Sequence, residues 1–256
     1  NGTDEDTPIT DQDVWGLVSD VDTDDNGSEP HENIDPNGYD FTYNNEGLGD
    51  FQWSSNGVYS FDPEDDFQDL AEGATRDVSF TYTVNDIDLG ASNEGTVTIT
   101  VTGVNDAPVA NNGTNGTDED TAITNQNVWD LVSDIDTDDN GPSPHDNIDP
   151  NGYIFMYNGL GNLQGNPDGT YSFDPEDDFQ DLREDATRDV SFTYIIQDLE
   201  GSFAQATVVI TVTGVNDNPV AEDDTQATTE NTPFTTNFLV NDIDTDDNGD
   251  GPHDNI

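Results

Sequence analysis

The chain has 256 residues with 58 Asp and Glu against three Lys and Arg, a formal net charge of −55, or about one net negative charge per five residues. A polyanion such as nucleic acid needs a basic footprint and an anionic membrane surface needs basic residues, so both are excluded as partners. No apolar run approaches the roughly 18 residues of a membrane-spanning helix, and the absence of Cys removes disulfides, thiolate metal sites and cysteine nucleophiles.

Such a charge opposes compaction, yet 12 Phe, 8 Tyr and 3 Trp supply core material if cations offset the repulsion between carboxylates. The chain opens at Asn1 with neither an initiator Met nor a charged-then-apolar leader, so any signal peptide is expected to lie outside it. In chain order, short strands are expected around Ile9, at Val14 to Val18 and at Phe41 to Tyr43. Phe51 to Trp53 and Val58 to Phe61 flank a turn ending in Asn56-Gly57, a dipeptide that tolerates the positive φ of hairpin turns. Val78, Phe80, Tyr82 and Val84, and then Val97, Ile99 and Val101, alternate with polar residues at the period of half-buried strands.

The pattern then recurs. NGTDEDT begins at Asn1 and Asn115, FDPEDDFQDL at Phe61 and Phe173, and ITVTGVND at Ile99 and Ile210, so the offset falls from 114 to 112 to 111 through small loop deletions. A third copy begins near Thr229, with strand-like Thr232-Pro233-Phe234 and Phe238-Leu239-Val240, and the chain ends at Ile256. The expected division is residues 1–112, 113–223 and 224–256, the last being the opening part of a third repeat. The fragment either continues in a longer parent chain or donates a strand to a neighbouring subunit. The fold class is all-β: tandem immunoglobulin-like or cadherin-like β-sandwiches of about seven strands each.

Acids cluster at strand ends and near the junctions between copies. The run Asp134-Ile135-Asp136-Thr137-Asp138-Asp139-Asn140-Gly141 supplies hard oxygens of the kind Ca²⁺ takes six to eight at a time. It is not an EF-hand loop, because Asp139 stands at the sixth position and His145 at the twelfth. The competing reading is a solvated acidic surface. His31, His145 and His253 fall one per copy, which favours loop packing over a shared metal site, and Trp15 and Trp129 are expected in the core or at its rim. Sequons occur at Asn1, Asn26, Asn112 and Asn115, a number that chance supplies in so Asn-, Gly- and Thr-rich a chain. No nucleophile, base and orienting residue recur together, and no Gly-rich phosphate loop follows a strand, so the chain is read as non-enzymatic.

Val215-Asn216-Asp217-Asn218-Pro219 and Val104-Asn105-Asp106-Ala107-Pro108 resemble the linker of cadherin repeats. FDPEDDFQDLAEGATRDVSFTYTV followed by TVTITVTGVNDAPVA resembles the VCBS and cadherin-like repeats of large bacterial surface proteins, notably RTX-type adhesins. That resemblance implies an extracellular or cell-surface string of sandwiches with Ca²⁺ near the junctions. It implies ligands Glu5, Asn105 and Asp106 from the first copy with Asp134, Asp136 and Asp198 from the second. For the next junction it implies Glu119, Glu184, Asn216, Asp217, Asn218, Asp242 and Asp244. Leu70-Ala71-Glu72 and Ala107 depart from Leu182-Arg183-Glu184 and Asn218, which implies fewer ions at the first junction. The implied role is a Ca²⁺-stiffened extender or fibre-forming segment whose partners are neighbouring repeats and further copies of the chain. The alternative is a carbohydrate-binding module that meets glycans on an exposed aromatic platform, with Tyr39, Trp53 or Tyr153 as candidates.

Overall fold

A computed structural model describes residues 1–19, 33–88, 90–136, 147–237 and 241–244. Contacts group the chain into two compact units, Asn1–Asp106 with Asp134–Asn147, and Ala107–Ser133 with Ile148–Ile256. Each is a β-sandwich, as the alternating apolar pattern requires.

The first unit has seven strands: β1 (Gly2–Asp4), β2 (Ile9–Asp13), β3 (Ile34–Tyr43), β4 (Asp50–Trp53), β5 (Val58–Asp62), β6 (Thr75–Asp86) and β7 (Gly95–Thr102). One sheet runs β1-β7-β6-β3 and the other β2-β5-β4. β6 and β7 pair antiparallel from Thr75↔Thr102 to Tyr82↔Gly95, whereas β1 lies parallel to β7. Because side chains alternate across a strand, Val78, Phe80 and Tyr82 of β6 and Val97, Ile99 and Val101 of β7 all enter the core, where Phe61 and Phe67 meet them.

The second unit repeats this plan with β8 (Val109–Ala110), β9 (Gly113–Asp118), β10 (Ile123–Asn127), β11 (Val132–Ser133), β12 (Ile154–Met156), β13 (Asn162–Gly165), β14 (Thr170–Asp174), β15 (Thr187–Gln197) and β16 (Phe203–Thr213). Its sheets run β12-β15-β16-β9 and β10-β14-β13, with a small β8-β11 ribbon. Phe173, Phe179, Phe192, Tyr194 and Ile210 fill its core.

Two turn devices recur. Gly57 and Gly169 adopt φ of 84° and 83°, closing the β4–β5 and β13–β14 hairpins at a conformation glycine reaches without strain. Each carries a lid: the Trp15 indole Nε1–H donates to the Asn56 carbonyl at 2.9 Å, and that of Trp129 to the Asp168 carbonyl at 2.8 Å. Two of the three arginines act alike as well. Arg76 forks onto Asp69 at 2.9 and 2.8 Å beside the Phe67 ring, and Arg188 onto Asp181 at 2.9 and 2.7 Å beside that of Phe179.

Two expectations need correction. Val14 to Val18 is not a strand: Trp15–Leu17 form a 3₁₀ turn, because Val14 points into the core while Trp15 folds over the hairpin. The corresponding residues of the second copy, Trp129–Leu131, do the same, leaving Trp129 at the rim. Thr232 to Phe234 belongs to no strand and is exposed. The Phe238 to Val240 expectation, the three histidines and residues 137–141 of the acidic run lie outside the described residues.

Candidate metal centre

The site is built where β1 ends and β7 runs out. Glu5 follows β1, and its backbone N–H donates to the Thr102 carbonyl at 3.1 Å, extending the parallel pairing by one residue. That register turns the Glu5 side chain inward, where Oε1 accepts the Val104 N–H at 2.8 Å. Two residues on, the Asp106 N–H donates to Oδ2 of Asp136 at 2.9 Å. Asp134 holds the other side, its Oδ1 accepting the Asp136 N–H at 3.1 Å.

Carboxylate oxygens of Glu5, Asp106 and Asp136 thereby lie within 4.8 Å of one another. Glu5 and Asp136 are buried and Asp106 is half-buried. Glu5 Oε2, Asp106 Oδ2 and Asp136 Oδ1 are enclosed and have no hydrogen-bond partner among the described residues. Buried carboxylate oxygens left so are costly, and three together are more so because their charges repel. The electrostatics follow. Burial pushes the Asp136 carboxyl up to about 7, partly offset by the Asp106 N–H and reinforced by Asp134, Asp106 and Glu5. Burial also raises Glu5, against the Val104 N–H bond, and raises Asp106 with help from Asp6. Hard, anionic and unsatisfied oxygens are the donor set an oxygen-loving divalent cation takes, so these residues fit Ca²⁺.

Asn105 and Asp134 sit beside this trio in the chain, the first half-buried and the second buried. Asp198 is buried in the second unit, where Oδ1 accepts the Gly201 and Ser202 N–H groups at 2.5 and 2.7 Å in the β15–β16 turn. Glu119 repeats the Glu5 arrangement: it is buried and Oε1 accepts the Val215 N–H at 2.8 Å. Asp242 Oδ1 accepts the Glu222 N–H at 3.0 Å. Asp217 and Asp244 are half-buried, whereas Glu184, Asn216 and Asn218 are exposed. Among the described residues, no other set of three acids converges as Glu5, Asp106 and Asp136 do.

Asn147, absent from the expected ligand set, is buried and its Nδ2 approaches Asp136 Oδ2 at 3.5 Å. Its signal was the recurrence of Asn-Ile-Asp-Pro-Asn-Gly-Tyr at Asn33 and Asn147, which marks both asparagines without assigning a role. The aromatic-platform expectation changes as well. Tyr39 and Tyr153 are only 1% and 6% exposed, because both point inward, so neither offers a ring to solvent. Trp53 is 45% exposed and stacks on Phe41 at 5.4 Å. The described sequons have engaged side chains: Asn1 Nδ2 donates to the Tyr59 hydroxyl, Asn115 Nδ2 to that of Tyr171 at 2.8 Å, and Asn112 Oδ1 accepts the Thr207 N–H at 2.9 Å.

Residues 105–214 match the bacterial cadherin-like domain family. No curated protein sequence matches the chain. Solved structures that match the chain include chicken VE-cadherin EC1-2, at 16% identity over 82% of this chain and 94% of that one, with a TM-score of 0.39. Drosophila N-cadherin EC1-4 matches at 15% identity over 85% and 49%, with a TM-score of 0.43. Protocadherin Gamma B2 EC1-5 matches at 15% over 92% and 43%, with a TM-score of 0.44, so the chain spans less than half of these last two. Among the described residues no helix is long and apolar enough to cross a membrane. The chain is thus an all-β protein of tandem β-sandwich domains, with the bacterial cadherin-like domain match falling on its second copy.

Proposed function

We infer that the chain is a Ca²⁺-stiffened structural segment, an extender or fibre-forming part of a secreted or cell-surface bacterial repeat protein of the VCBS and RTX-adhesin kind. The observation that carries this reading is the trio of enclosed carboxylate oxygens from Glu5, Asp106 and Asp136 that lack a hydrogen-bond partner. A bound divalent cation supplies the positive charge that these oxygens lack. Glu5, Asp106 and Asp136 hold it, the Val104 and Asp106 N–H groups fix the orientation of the Glu5 and Asp136 carboxylates, Asp134 anchors the Asp136 backbone, and Asn147 adds an amide beside Asp136. By sequence, Glu5 and Asp106 belong to the first copy and Asp136 to the second, and all three lie in the first compact unit, so one ion there joins distant stretches of the chain. Cadherin-like domains are a structural and adhesive class, which agrees with the lack of a recurring catalytic constellation in the sequence. Small-angle scattering of the full chain in chelator and in millimolar Ca²⁺ tests the reading: a change in maximum dimension supports it, and an unchanged dimension overturns it.

A second reading, a neutral sugar-binding module, has one specific observation in its favour. In the second copy the loop before β13 is two residues shorter, Asn162 replaces Asp50, Leu163 replaces Phe51, Gly165 replaces Trp53, and Glu46 has no counterpart. The result is a groove of about 710 Å³ bordered by Phe155, Tyr157, Leu163 and the amides of Asn158, Asn162 and Gln164, with no carboxylate among its lining residues. Apolar rings with convergent amides suit a polyol ring. A glycan array probed with the full chain, and again with Tyr157→Ala, decides it: glycan binding lost in the variant supports the module, and no binding rejects it.

A further inference from the structure

We propose that the outer face of the second unit's four-stranded sheet is a self-association surface whose partner is the same face of a second copy of this chain. On this face Ile154 and Met156 of β12 are 52% and 50% exposed, and Phe203 of β16 is 58% exposed. Register joins them: Ile154 pairs with Ile195, Ile195 with Gln205, and Gln197 with Phe203, so Phe203 is the diagonal neighbour of Ile195. Val209, opposite Ser191, continues the same face toward β9.

The first unit does not carry this surface. In its matching rows Asp40 stands for Ile154, Thr42 for Met156, Thr83 for Ile195 and Thr98 for Val209. The neighbouring sequence is retained, as HENIDPNGY against HDNIDPNGY and ATRDVSFTY against ATRDVSFTY show. On this face the divergence runs one way, from polar to apolar. Inward residues need no such change, since both cores are already apolar.

Charge selects the occupant. With 58 acids against three basic residues, two copies that meet at random set carboxylate against carboxylate. From Ser191 to Gln197, from Phe203 to Val209 and along β12, no outward side chain is charged. Two copies related by a twofold axis bring this neutral face against itself and keep their acids apart. β12 is also the sheet edge, so the pair can slide into edge contact without passing a charge. Three strands at about 4.8 Å spacing over roughly six residues cover only about 300 Å² per partner, below the ~800 Å² of a standard interface. A single contact is therefore weak, and a repeat array adds such contacts in parallel.

Sedimentation equilibrium of the full chain up to about 1 mM, in about 0.15 M and about 1 M NaCl, tests the proposal, because salt screens the repulsion and leaves the apolar contact. The weight-average mass should rise with concentration, more steeply in the higher salt. The variant Ile154→Asp/Met156→Thr/Ile195→Thr, which restores the first copy's own residues, should weaken association at least about tenfold. The converse variant Asp40→Ile/Thr42→Met/Thr83→Ile should strengthen it, which keeps the test decisive if the first variant fails to fold. A wild-type mass that stays monomeric at both salts, or equal association by wild type and variants, overturns the proposal.

Discussion

The backbone N–H of Asp106 donates to Oδ2 of Asp136 at 2.9 Å, across 30 residues of sequence. This bond aims one oxygen of Asp136 at the backbone and leaves Oδ1 enclosed with Glu5 Oε2 and Asp106 Oδ2. Asp136→Asn keeps the shape and removes one charge from the trio. We expect Ca²⁺ affinity by titration calorimetry to fall at least about tenfold, while the chelated variant becomes more heat-stable than the chelated wild type because a buried repulsion is gone. Unchanged affinity would remove Asp136 from the ligand set.

The pH response has two regimes. Asp136, Glu5 and Asp106 have folded pKa values above their usual ones, so in chelator the folded chain binds more protons than the unfolded chain between about pH 4 and 7. Their effect is that stability rises as pH falls through that window. Asp69 and Asp181 are held below the usual range by the Arg76 and Arg188 forks, so their contribution is present above the unfolded value near 4 and is lost below it. Melting temperature in chelator should therefore pass through a maximum on acidification. Millimolar Ca²⁺ should reverse the first regime, because protonation then competes with the ion. A chelated chain that loses stability steadily from pH 7 downward contradicts this assignment.

At Gly57 a side chain meets two obstacles. The backbone has φ of 84°, and a Cβ would stand 3.1 Å from the Trp15 indole nitrogen and 3.3 Å from the Tyr39 ring. Gly57→Ala should destabilise the first unit by about 1–3 kcal/mol. Gly169→Ala should cost as much or more, since its Cβ would stand 2.6 Å from the Trp129 indole nitrogen. Chemical denaturation followed by Trp fluorescence measures both, and a change below about 0.3 kcal/mol would mean that the indole lids are not anchored as described.

Replacement of Arg188 by Lys keeps the charge and loses the two-pronged match to Asp181. The pair is more than a third exposed, with side-chain exposures of 34% and 61%, so solvent screening keeps the expected loss to about 1 kcal/mol or less. Arg76→Lys should cost somewhat more, because the Arg76–Asp69 pair is less exposed. The order of the two midpoints in denaturant checks this.

The sandwich was legible in the sequence because alternation at Val78 to Val84 and Val97 to Val101 reports directly which face of a strand is buried. The Val14 to Val18 segment misled for a definite reason. Val14 and Val18 straddle a 3₁₀ turn, and the position of Trp15 is set by the distant Asn56 carbonyl, which no local pattern records. Acid clusters announced cation chemistry, but the chain offers dozens of carboxylates. Those of Glu5, Asp106 and Asp136 are singled out by burial and by what they fail to bond, both tertiary properties. The apolar face around Ile154 was not read from the sequence, because its four substitutions between copies are scattered along the chain and become a surface only through strand register.

The parallel pairing of β1 with β7, and of β9 with β16, gives each sandwich a mechanical axis. Tension along the chain enters this pairing at the start of β1 or β9 and leaves at the end of β7 or β16. With those two strands parallel and adjacent, the load shears their hydrogen bonds together instead of peeling them one by one. Those pairs run from Gly2↔Thr100 to Asp4↔Thr102 in the first unit and from Val208↔Gly113 to Thr213↔Asp118 in the second. Pulled between its ends in an optical trap, the chain should yield in abrupt steps as each sandwich shears, and not by gradual peeling.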